Sequence, residues 1–426
     1  MKFSKHKLGE LIEVTRGASL SGQFYAEEGE LIRLTLGNFN MNGGGFKENT
    51  SKTDLYYTGT VKDEFILNKG DIITPLTEQS LGLLGTTARI PENGKYIQSQ
   101  DVALVKCKEG LLDPNFCYYL ISSSIVRQQL SAGAQQTKIR HTSPDKIKDC
   151  TVWVPEFEEQ KRIGRILTDI DEKITLNRQI NDNLEEMAKQ LYDYWFVQFD
   201  FPNEEGKPYK SSGGAMVWNE KLKRKIPSCF EVVDMGNLCD FRNGINYSKD
   251  ETGNDYQIVN VRNISSSRIL LDGEDFDVIT VPTSKAENYV LKPDDIIIAR
   301  SGCPGSTRLL LSPANTIFCG FIICCSPNDS SMRNYLVYYF KQLEGTNATT
   351  SGGSILQNVS QDTLKGLHVI VPERQIIDKF NKTIDLLFTR MLNCLKESKA
   401  LTKQRDELLP LLMNGQATIN YHLSAY

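Results

Sequence analysis

The chain has 426 residues, enough for about three domains with cores of their own, which excludes a single small domain. Hydrophobic residues make up 40% and charged residues 24%, a composition typical of folded globular proteins that excludes largely disordered or collagen-like chains. The formal net charge of −4 excludes a uniformly basic chain, so any surface for nucleic acid must be local.

The amino-terminal segment, MKFSKHKLGELIEV, lacks the apolar stretch of a signal peptide. Later apolar runs fall far short of the ~20 residues that span a membrane. We therefore expect a cytoplasmic protein with no membrane contact. The 10 cysteines include no C-x-x-C pair and the 4 histidines are scattered, so the sequence predicts neither a disulfide framework nor a metal site.

An internal repeat divides the chain into two similar halves. The segment LGELIEVTRG recurs as MGNLCDFRNG, and LNKGDIIT recurs as LKPDDIII. The separation of equivalent residues falls steadily along the chain, from 227 between Gly9 and Gly236 to 217 between Pro155 and Pro372. Chance matches would scatter in order, so a steady fall indicates a duplication with small deletions in the second copy.

Each half begins with short β-branched and aromatic runs separated by Gly, Asn and Ser clusters, which predicts a strand-rich globular domain. The predicted strands are Leu31–Leu36, Asp71–Thr74, Val102–Lys106, Tyr256–Val261, Asp295–Ala299 and Ile317–Cys324. An amphipathic helix with a Tyr-Tyr pair follows in each half, at Phe116–Leu130 and at Asn334–Leu343.

A heptad-like seam follows the Val-Pro boundary of each half. The first seam consists of Ile163, Leu167, Ile170, Ile174, Asn177, Asn181, Leu184, Ala188, Leu191 and Trp195. The second consists of Ile377, Phe380, Ile384, Leu387, Met391, Cys394, Ser398, Leu401, Arg405, Leu408 and Leu412. Asn177 and Asn181 would either be buried and fix the register, or mark local fraying with exposed amides.

Each predicted helix runs ~35 residues, about 50 Å, and needs a partner along its length. The simplest partner of one seam is the other, which places the two globular domains at opposite ends of a pseudo-twofold molecule. The predicted fold class is therefore α+β: two tandem strand-rich α/β domains separated by two long antiparallel coiled-coil helices. Residues 202–214 form the connector, and Pro410 with Gly415 closes the last helix.

Catalytic motifs are missing from the sequence. The Gly43–Gly45 run lacks the spacing of a phosphate-binding loop, and there is no G-x-S-x-G, no H-E-x-x-H and no Asn-Pro-Pro-aromatic segment. Asp169, Asp171 and Glu172 lie on a heptad helix, where we expect them to form its solvated face. The chain is therefore predicted to be non-catalytic.

Two segments in each half are rich in groups that contact nucleic acid. The strand Ile32–Asn38 has its counterpart in Ile258–Asn263, and Gly133–Ser143 has its counterpart in Gly352–Ser360. Between Ile125 and Lys148 there are five Lys or Arg against one acid, which is a local basic patch. An ordinary solvated loop remains the alternative for such a composition.

Several of these segments resemble one family, the specificity subunits of type I restriction-modification systems. LYDYWFVQFDFP (Leu191–Pro202) and RDELLPLLMNG (Arg405–Gly415) resemble the ends of its central and distal helices, and VPEFEEQ, VPERQ and DIIIARSG also fit. The resemblance covers nearly the full length. Phe230 stands where the family usually has a tryptophan, and another aromatic ring can fill that pocket. The first half lacks the I-P-x-x-aromatic lead of the second.

The resemblance implies a subunit that binds a split DNA target, each globular domain recognising one half-site in a major groove while the helices fix the gap. Two methyltransferase subunits would dock on the helices and restriction subunits would join them. S-adenosylmethionine, ATP and Mg²⁺ would belong to those partners, and this chain would hold no cofactor or metal. The alternatives are a duplicated protein-binding scaffold and, less favoured, a nuclease or methyltransferase in its own right.

The implied boundaries are a first target-recognition domain at 1–154, a central spacer helix at 155–200, a linker at 201–215, a second domain at 216–371, a distal spacer helix at 372–415 and a tail at 416–426. The predicted DNA-binding residues are Arg33, Asn38, Gln135, Gln136, Thr137, Lys138, Arg140, His141, Arg262, Asn263, Arg300, Arg308, Ser354, Gln357 and Asn358.

Overall fold

A computed structural model of the chain shows two compact units. Unit 1 comprises Met1–Leu176 and Glu397–Tyr426, and unit 2 comprises Asn177–Lys396. The structure describes residues 2–40, 44–78, 81–133, 140–248, 250–266, 268–271, 273, 276–344, 349–350, 353–354 and 359–417.

Unit 1 contains thirteen short strands among its described residues. They are β1 Phe3–Lys7, β2 Ile12–Arg16, β3 Tyr25–Ala26, β4 Ile32–Arg33, β5 Tyr56–Tyr57, β6 Ile66–Leu67, β7 Ile72–Pro75, β8 Thr77–Glu78, β9 Ala88–Arg89, β10 Tyr96–Ile97, β11 Val102–Cys107, β12 Arg140–His141 and β13 Thr151–Pro155. Its helices are α1 Leu8–Leu11, α2 Pro114–Ser122, α3 Ser124–Gly133, α4 Pro144–Lys148 and the beginning of α5 Phe157–Tyr192.

Unit 2 repeats this plan. Its strands are β14 Met216–Asn219, β15 Arg224–Pro227, β16 Glu231–Asp234, β17 Cys239–Asn243, β18 Asn254–Val259, β19 Asp277–Val281, β20 Ile296–Ala299, β21 Thr307–Leu309, β22 Thr316–Phe318, β23 Ile322–Pro327, β24 Thr349–Thr350, β25 Gly353–Ser354 and β26 His368–Val371. Its helices are α6 Val261–Ser266, α7 Thr283–Ala286, α8 Arg333–Leu343, α9 Gln361–Lys365 and the beginning of α10 Arg374–Met413.

Strand order confirms the duplication. The sheet β2-β11-β7-β9 of unit 1 corresponds to β17-β23-β20-β21 of unit 2, and the pair β1-β13 corresponds to β16-β26. A second sheet in each unit contains a parallel pair, β4 with β10 and β18 with β22. Helix starts repeat as well, because Ser143 and Ser360 each accept a hydrogen bond from the backbone at the start of α4 and α9.

The largest single step in the fall of the repeat spacing comes from one loop. The Leu76 amide donates to the Asp101 carbonyl just as the Arg300 amide donates to that of Phe321, both at 2.8 Å, so Leu76 and Arg300 are equivalent at a spacing of 224. Gly82, with φ +99°, matches Gly302, with φ +79°, at a spacing of 220. The loop after β7 is therefore four residues longer than the loop after β20, and two of the extra residues, Thr77 and Glu78, form β8.

Two repeated glycines are required by a close approach of backbones. A Cβ on Gly17 would lie 2.3 Å from the Gln98 carbonyl oxygen, and one on Gly244 would lie 2.1 Å from that of Cys319. Both distances are far below van der Waals contact. This close approach explains why the repeated segment ends in glycine in both halves.

Gly244→Ala is therefore expected to lower the free energy of unfolding by about 1–3 kcal/mol, because the backbone of the 318–319 turn must move to admit the methyl group. Chemical denaturation of the full chain measures it. Gly133→Ala is the control, since a Cβ there meets nothing within 4 Å, and we expect a change within about 0.5 kcal/mol. A Gly244→Ala protein as stable as the wild type would contradict the packing described.

In unit 1 the two long helices run antiparallel. Asp171 of α5 accepts a hydrogen bond from Arg405 of α10 at 2.8 Å, and Lys173 of α5 lies 3.5 Å from Glu397 of α10. A residue further along α5 therefore contacts a residue earlier in α10, as in an antiparallel pair. The Tyr119 hydroxyl donates to the second oxygen of Asp171 at 2.7 Å. Burial, with the Asp171 charge, raises the pKa of Tyr119, which keeps this hydroxyl a neutral donor.

In unit 2 the two helical segments are packed together by aromatic rings. The Phe196 ring centroid lies 4.9 Å from that of Phe380, while Ala188 joins the same core as Phe388. Asn177 and Asn181 are 1% and 4% exposed, so the fraying alternative with exposed amides is wrong. Every residue of both predicted seams is buried or half-buried. The placement of the two globular domains at opposite ends stays a prediction.

Several predicted elements have different bounds. The predicted Phe116–Leu130 helix is broken, because Ser123 adopts an extended conformation between α2 and α3. The predicted strand at Ile317–Cys324 is two strands, β22 and β23, separated by a turn. The predicted strands Leu31–Leu36 and Tyr256–Val261 end early, in a 3₁₀ turn at Leu36–Asn38 and in α6.

The connector is packed against unit 2. Phe201 stacks on Tyr209 with centroids 4.6 Å apart and on Phe230 at 4.8 Å. Phe230 is 6% exposed, which confirms that an aromatic other than tryptophan fills this pocket. Helix α10 continues through Pro410 to Met413, three residues beyond the predicted closing proline. No helix within the described residues is both long and apolar enough to cross a membrane.

Candidate nucleic-acid interface

Loops from four strands converge at one edge of each unit. In unit 2, β18 and β22 are parallel in one sheet, and in the other sheet β17 and β20 both pair antiparallel with β23 and therefore run in the same direction. A parallel bridge between Ile245 and Cys319 joins the chain after β17 to the chain after β22, so the two sheets meet at these ends. The carboxyl ends of strands that run the same way meet at one edge of a sheet. The loops after β17, β20 and β22, with Asn260–Asn263 after β18, form what we call the loop edge of unit 2; the equivalent loops of unit 1 follow β2, β4, β7 and β10.

The loop edge of unit 2 presents an aromatic ring beside a cation. The Arg300 amide donates to the Phe321 carbonyl at 2.8 Å, and the Ile322 amide closes the turn by donating to Cys319 at 2.9 Å. Phe321 is 62% exposed, whereas Arg300 is exposed with no hydrogen bond or ion pair from its guanidinium to the described residues. Burial raises the pKa of the Cys319 thiol, so this thiol adds no charge at neutral pH.

The loop edge of unit 1 is lined by polar side chains instead. Asp101 stands at the position equivalent to Phe321, and buried Leu76 at the position equivalent to Arg300. A cleft of 310 Å³ lies beside it, with a lining that includes Thr35, Asn49, Ser51, Lys52 and Gln100. The same backbone plan therefore presents different chemistry in the two units.

Two predicted DNA-binding arginines are used inside the fold. Arg33 is 6% exposed, donates to Asp54 at 3.1 Å and lies 3.8 Å from the centroid of Tyr25. Arg308 is also 6% exposed and donates to Glu344 at 2.7 Å. Because both guanidiniums are already paired and buried, we remove them from the set proposed to contact DNA.

The two predicted asparagines have one identical internal role. The Thr35 amide donates to Asn38 Oδ1 at 2.8 Å, and the Asn260 amide donates to Asn263 Oδ1 at 2.8 Å. Asn38 and Asn263 are 3% and 5% exposed. Each side chain fixes the turn that follows a parallel strand, so these residues shape the loop edge and are likewise removed from the contact set.

The other predicted residues differ in exposure. Arg140 is half-buried and lies 3.2 Å from Glu78, while His141 is exposed on β12. Arg262 is exposed and forms an ion pair with Asp277. Together with Arg300 they remain candidates for contact with nucleic acid.

The remaining candidates come from the two loops rich in Gln, Asn, Thr and Ser. Ser354 ends β25. Gln135, Gln136, Thr137, Lys138, Gln357 and Asn358 lie outside the described residues, so their proposed contacts stay predictions.

Three residues of the loop edges escaped the sequence analysis: Glu78, Leu81 and Phe321. Leu81 is 77% exposed and Phe321 is 62% exposed, yet each stands in an ordinary apolar sequence context. The available signal for Glu78 was the fall of the repeat spacing from 224 to 220, which marked a longer loop in the first half. That signal locates a difference between the units without saying what it does.

Family comparison accounts for both units. The model of the type I restriction modification DNA specificity domain matches residues 2–186 and 227–397. These two ranges cover most of the chain and include one repeat each. The chain belongs to this family, whose members determine DNA specificity in restriction-modification systems, and its fold is the tandem-domain fold predicted from the sequence.

Individual relatives agree with the family match. The chain is 23% identical over 319 residues to the type I restriction enzyme MjaIX specificity subunit of Methanocaldococcus jannaschii, covering 73% of this chain and 71% of that protein. It is 24% identical over 388 residues to the HindI specificity subunit of Haemophilus influenzae, covering 76% and 84%. The crystal structure of a type I S subunit from M. genitalium shares the fold, with a TM-score of 0.56, 18% identity and coverage of 99% and 97%.

Proposed function

We propose that this chain is the DNA-recognition subunit of a type I restriction-modification complex and that it binds a bipartite, asymmetric target. Each unit would recognise one half-site in the major groove through its loop edge. The observation that carries the proposal is the repeated loop edge with different side chains, Phe321 and Arg300 in one unit and Asp101 and Leu76 in the other. Two loop edges with the same backbone arrangement but different side chains are suited to two half-sites of different sequence.

The long helices would set the gap between half-sites. Both α5 and α10 are continuous and contribute residues to unit 1 and to unit 2. A continuous helix pair resists bending, so we propose that it holds the two loop edges at a fixed separation. Two methyltransferase subunits would dock on these helices and restriction subunits would join that core, with S-adenosylmethionine, ATP and Mg²⁺ bound by those partners in the cytoplasm.

This chain would supply recognition without chemistry of its own. Within the described residues, no group of three or more His, Cys, Asp or Glu side chains could hold a metal ion. The activity of the complex would therefore depend on where this subunit places the methyltransferase. DNA incubated with this chain and S-adenosylmethionine alone should remain unmethylated.

Footprinting of the full chain on duplex DNA tests the proposal. We expect two protected tracts separated by an unprotected or weakly protected gap, with affinity falling steeply as salt rises. Protection of one continuous tract would contradict the bipartite target. Absence of protection at low salt would favour the protein-binding scaffold.

Arg300 provides a sharper prediction. Because its exposed guanidinium has no partner among the described residues, we expect it to contact a phosphate. Arg300→Ala should weaken binding to all sequences and reduce the slope of log K against log salt by about 1. Arg390→Ala, which removes an exposed arginine from α10, is the matched control and should change neither. A changed base preference with an unchanged salt slope would contradict the phosphate contact.

A further inference from the structure

Unit 1 contains a segment that unit 2 lacks, and a buried carboxylate lies within it. The four extra residues after Leu76 are Thr77–Ser80, and Glu78 among them is 2% exposed. In unit 2 the corresponding loop is short and is closed by a hydrogen bond from the Gly305 amide to the Ala299 carbonyl at 2.8 Å. Glu78 therefore has no counterpart in the second copy of the repeat.

The Glu78 carboxylate is fully engaged by groups from two directions. Its Oε2 accepts hydrogen bonds from the amides of Gly82, Leu83 and Leu84 at 3.1, 2.9 and 3.0 Å. Its Oε1 lies 3.2 Å from Nη1 of Arg140. A buried carboxylate with this number of hydrogen-bond donors is held in one position. In turn, it fixes the positions of the backbone amides and the guanidinium that donate to it.

These contacts join two surface segments, the loop after β7 and strand β12 beside it. The three amides belong to the turn that presents Leu81, which is 77% exposed. Arg140 belongs to β12, which pairs with β8 and presents the exposed His141. Arg127 of α3 supports the same turn by donating to the Gly82 carbonyl, and Arg140 also donates to the Ser131 hydroxyl at 3.0 Å. Glu78 is the only one of the described residues that bonds to both segments.

Building on the proposed function, we propose that Glu78 is a positioning residue for recognition of the half-site bound by unit 1. Its carboxylate fixes Leu81 and His141 relative to each other. Leu81 would contact a thymine methyl group in the major groove, and the His141 imidazole would hydrogen-bond to the edge of a neighbouring purine. Unit 2 uses the short loop with Arg300 and Phe321 instead, so the two half-sites differ.

Selection of bound duplexes from a randomised pool by the full chain tests this role. Glu78→Gln removes the charge that pairs with Arg140, and Arg140→Gln removes the other partner. Each variant should bind the wild-type target at least tenfold more weakly and lose base preference in one half-site, with the other half-site unchanged. The double variant should bind no worse than the weaker single variant, because both substitutions break the same link.

Leu81→Ala keeps the proposal testable if Glu78→Gln fails to fold, since an exposed leucine can be truncated without disturbing the core. It should relax base preference at one or two positions of the half-site that Glu78→Gln affects. Leu111→Ala is the matched control: it is an exposed leucine of the same unit that follows β11, whereas the loop edge lies before the start of that strand, and it should leave both half-sites unchanged. The melting temperature of both leucine variants should equal that of the wild type.

The outcomes separate this role from the proposed function. Equal weakening of both half-sites by Glu78→Gln, or an unchanged base preference in Leu81→Ala, overturns the positioning role. If the wild type selects one continuous block, the bipartite function fails, while Glu78 keeps its role provided that Leu81→Ala alters that block. If the wild type selects no sequence at all, both proposals are wrong.

Discussion

Inserting four residues into α5 after Leu176, with four matching residues in α10 after Lys396, should lengthen the gap between half-sites by one or two base pairs. Four helical residues add ~6 Å and about 40° of rotation. One base pair adds ~3.4 Å, and about 35° at 10–10.5 base pairs per turn. The bases of the half-sites should stay the same, because neither loop edge is altered. Selection from a randomised duplex pool measures the gap directly.

The connector supplies the control for that insertion. Four residues placed between Glu204 and Glu205 enlarge an exposed turn that lies wholly within unit 2, where the Gly206 amide donates to the Asn203 carbonyl at 3.0 Å. We expect this variant to keep the wild-type gap. A gap that stays fixed after insertion into both helices would mean that the helices do not determine the spacing.

Arg405→Ala should lower the free energy of unfolding of unit 1 by about 3 kcal/mol, because it leaves a mostly buried carboxylate without its cation. The Arg405 side chain is 9% exposed, and its partner Asp171, 2.8 Å away, is 28% exposed and also receives the Tyr119 hydroxyl. Asp171 would retain only the tyrosine after the substitution. Calorimetry of the full chain with its two units resolved measures the loss.

Lys403→Ala on the same helix is the control for this prediction. Lys403 is 79% exposed and lies 3.9 Å from Glu407, so solvent screens the pair, and we expect a change below about 0.5 kcal/mol. Equal effects of the two substitutions would show that Asp171 does not depend on Arg405.

Much of the architecture followed from the sequence because it depends on repetition and periodicity. The repeat predicted two units of one plan, and the glycines at its end, Gly17 and Gly244, face backbone carbonyls in the same way. The seam spacing predicted which faces of α5 and α10 are buried, including Asn177 and Asn181. These features depend on regular spacing of residues along the chain, and such spacing can be recognised without knowledge of tertiary contacts.

The site was predicted less well because side-chain partners are distant in sequence. Arg33 and Arg308 have the residue type that binds DNA, but Asp54 lies 21 residues from one and Glu344 lies 36 residues from the other. Pairing across such distances depends on the folded sheet. Asn38 was assigned to a strand, whereas it stands in a turn whose first amide it binds.

Exposed residues at the loop edge posed the opposite difficulty. Phe321 belongs to an apolar run that predicts a buried strand, yet the turn closed by Ile322 turns this one ring toward solvent. Sequence patterns predict burial for such a residue, and only the turn shows the exception. The residues that distinguish the two edges are therefore those that local pattern predicts worst.

The central claim, that two units recognise two separate half-sites, is tested most directly by sequencing the duplexes that the full-length chain selects from a randomised pool. We predict two short blocks of fixed sequence, different from each other and separated by a constant number of unconstrained positions. A single uninterrupted block, or two blocks at variable separation, would contradict it.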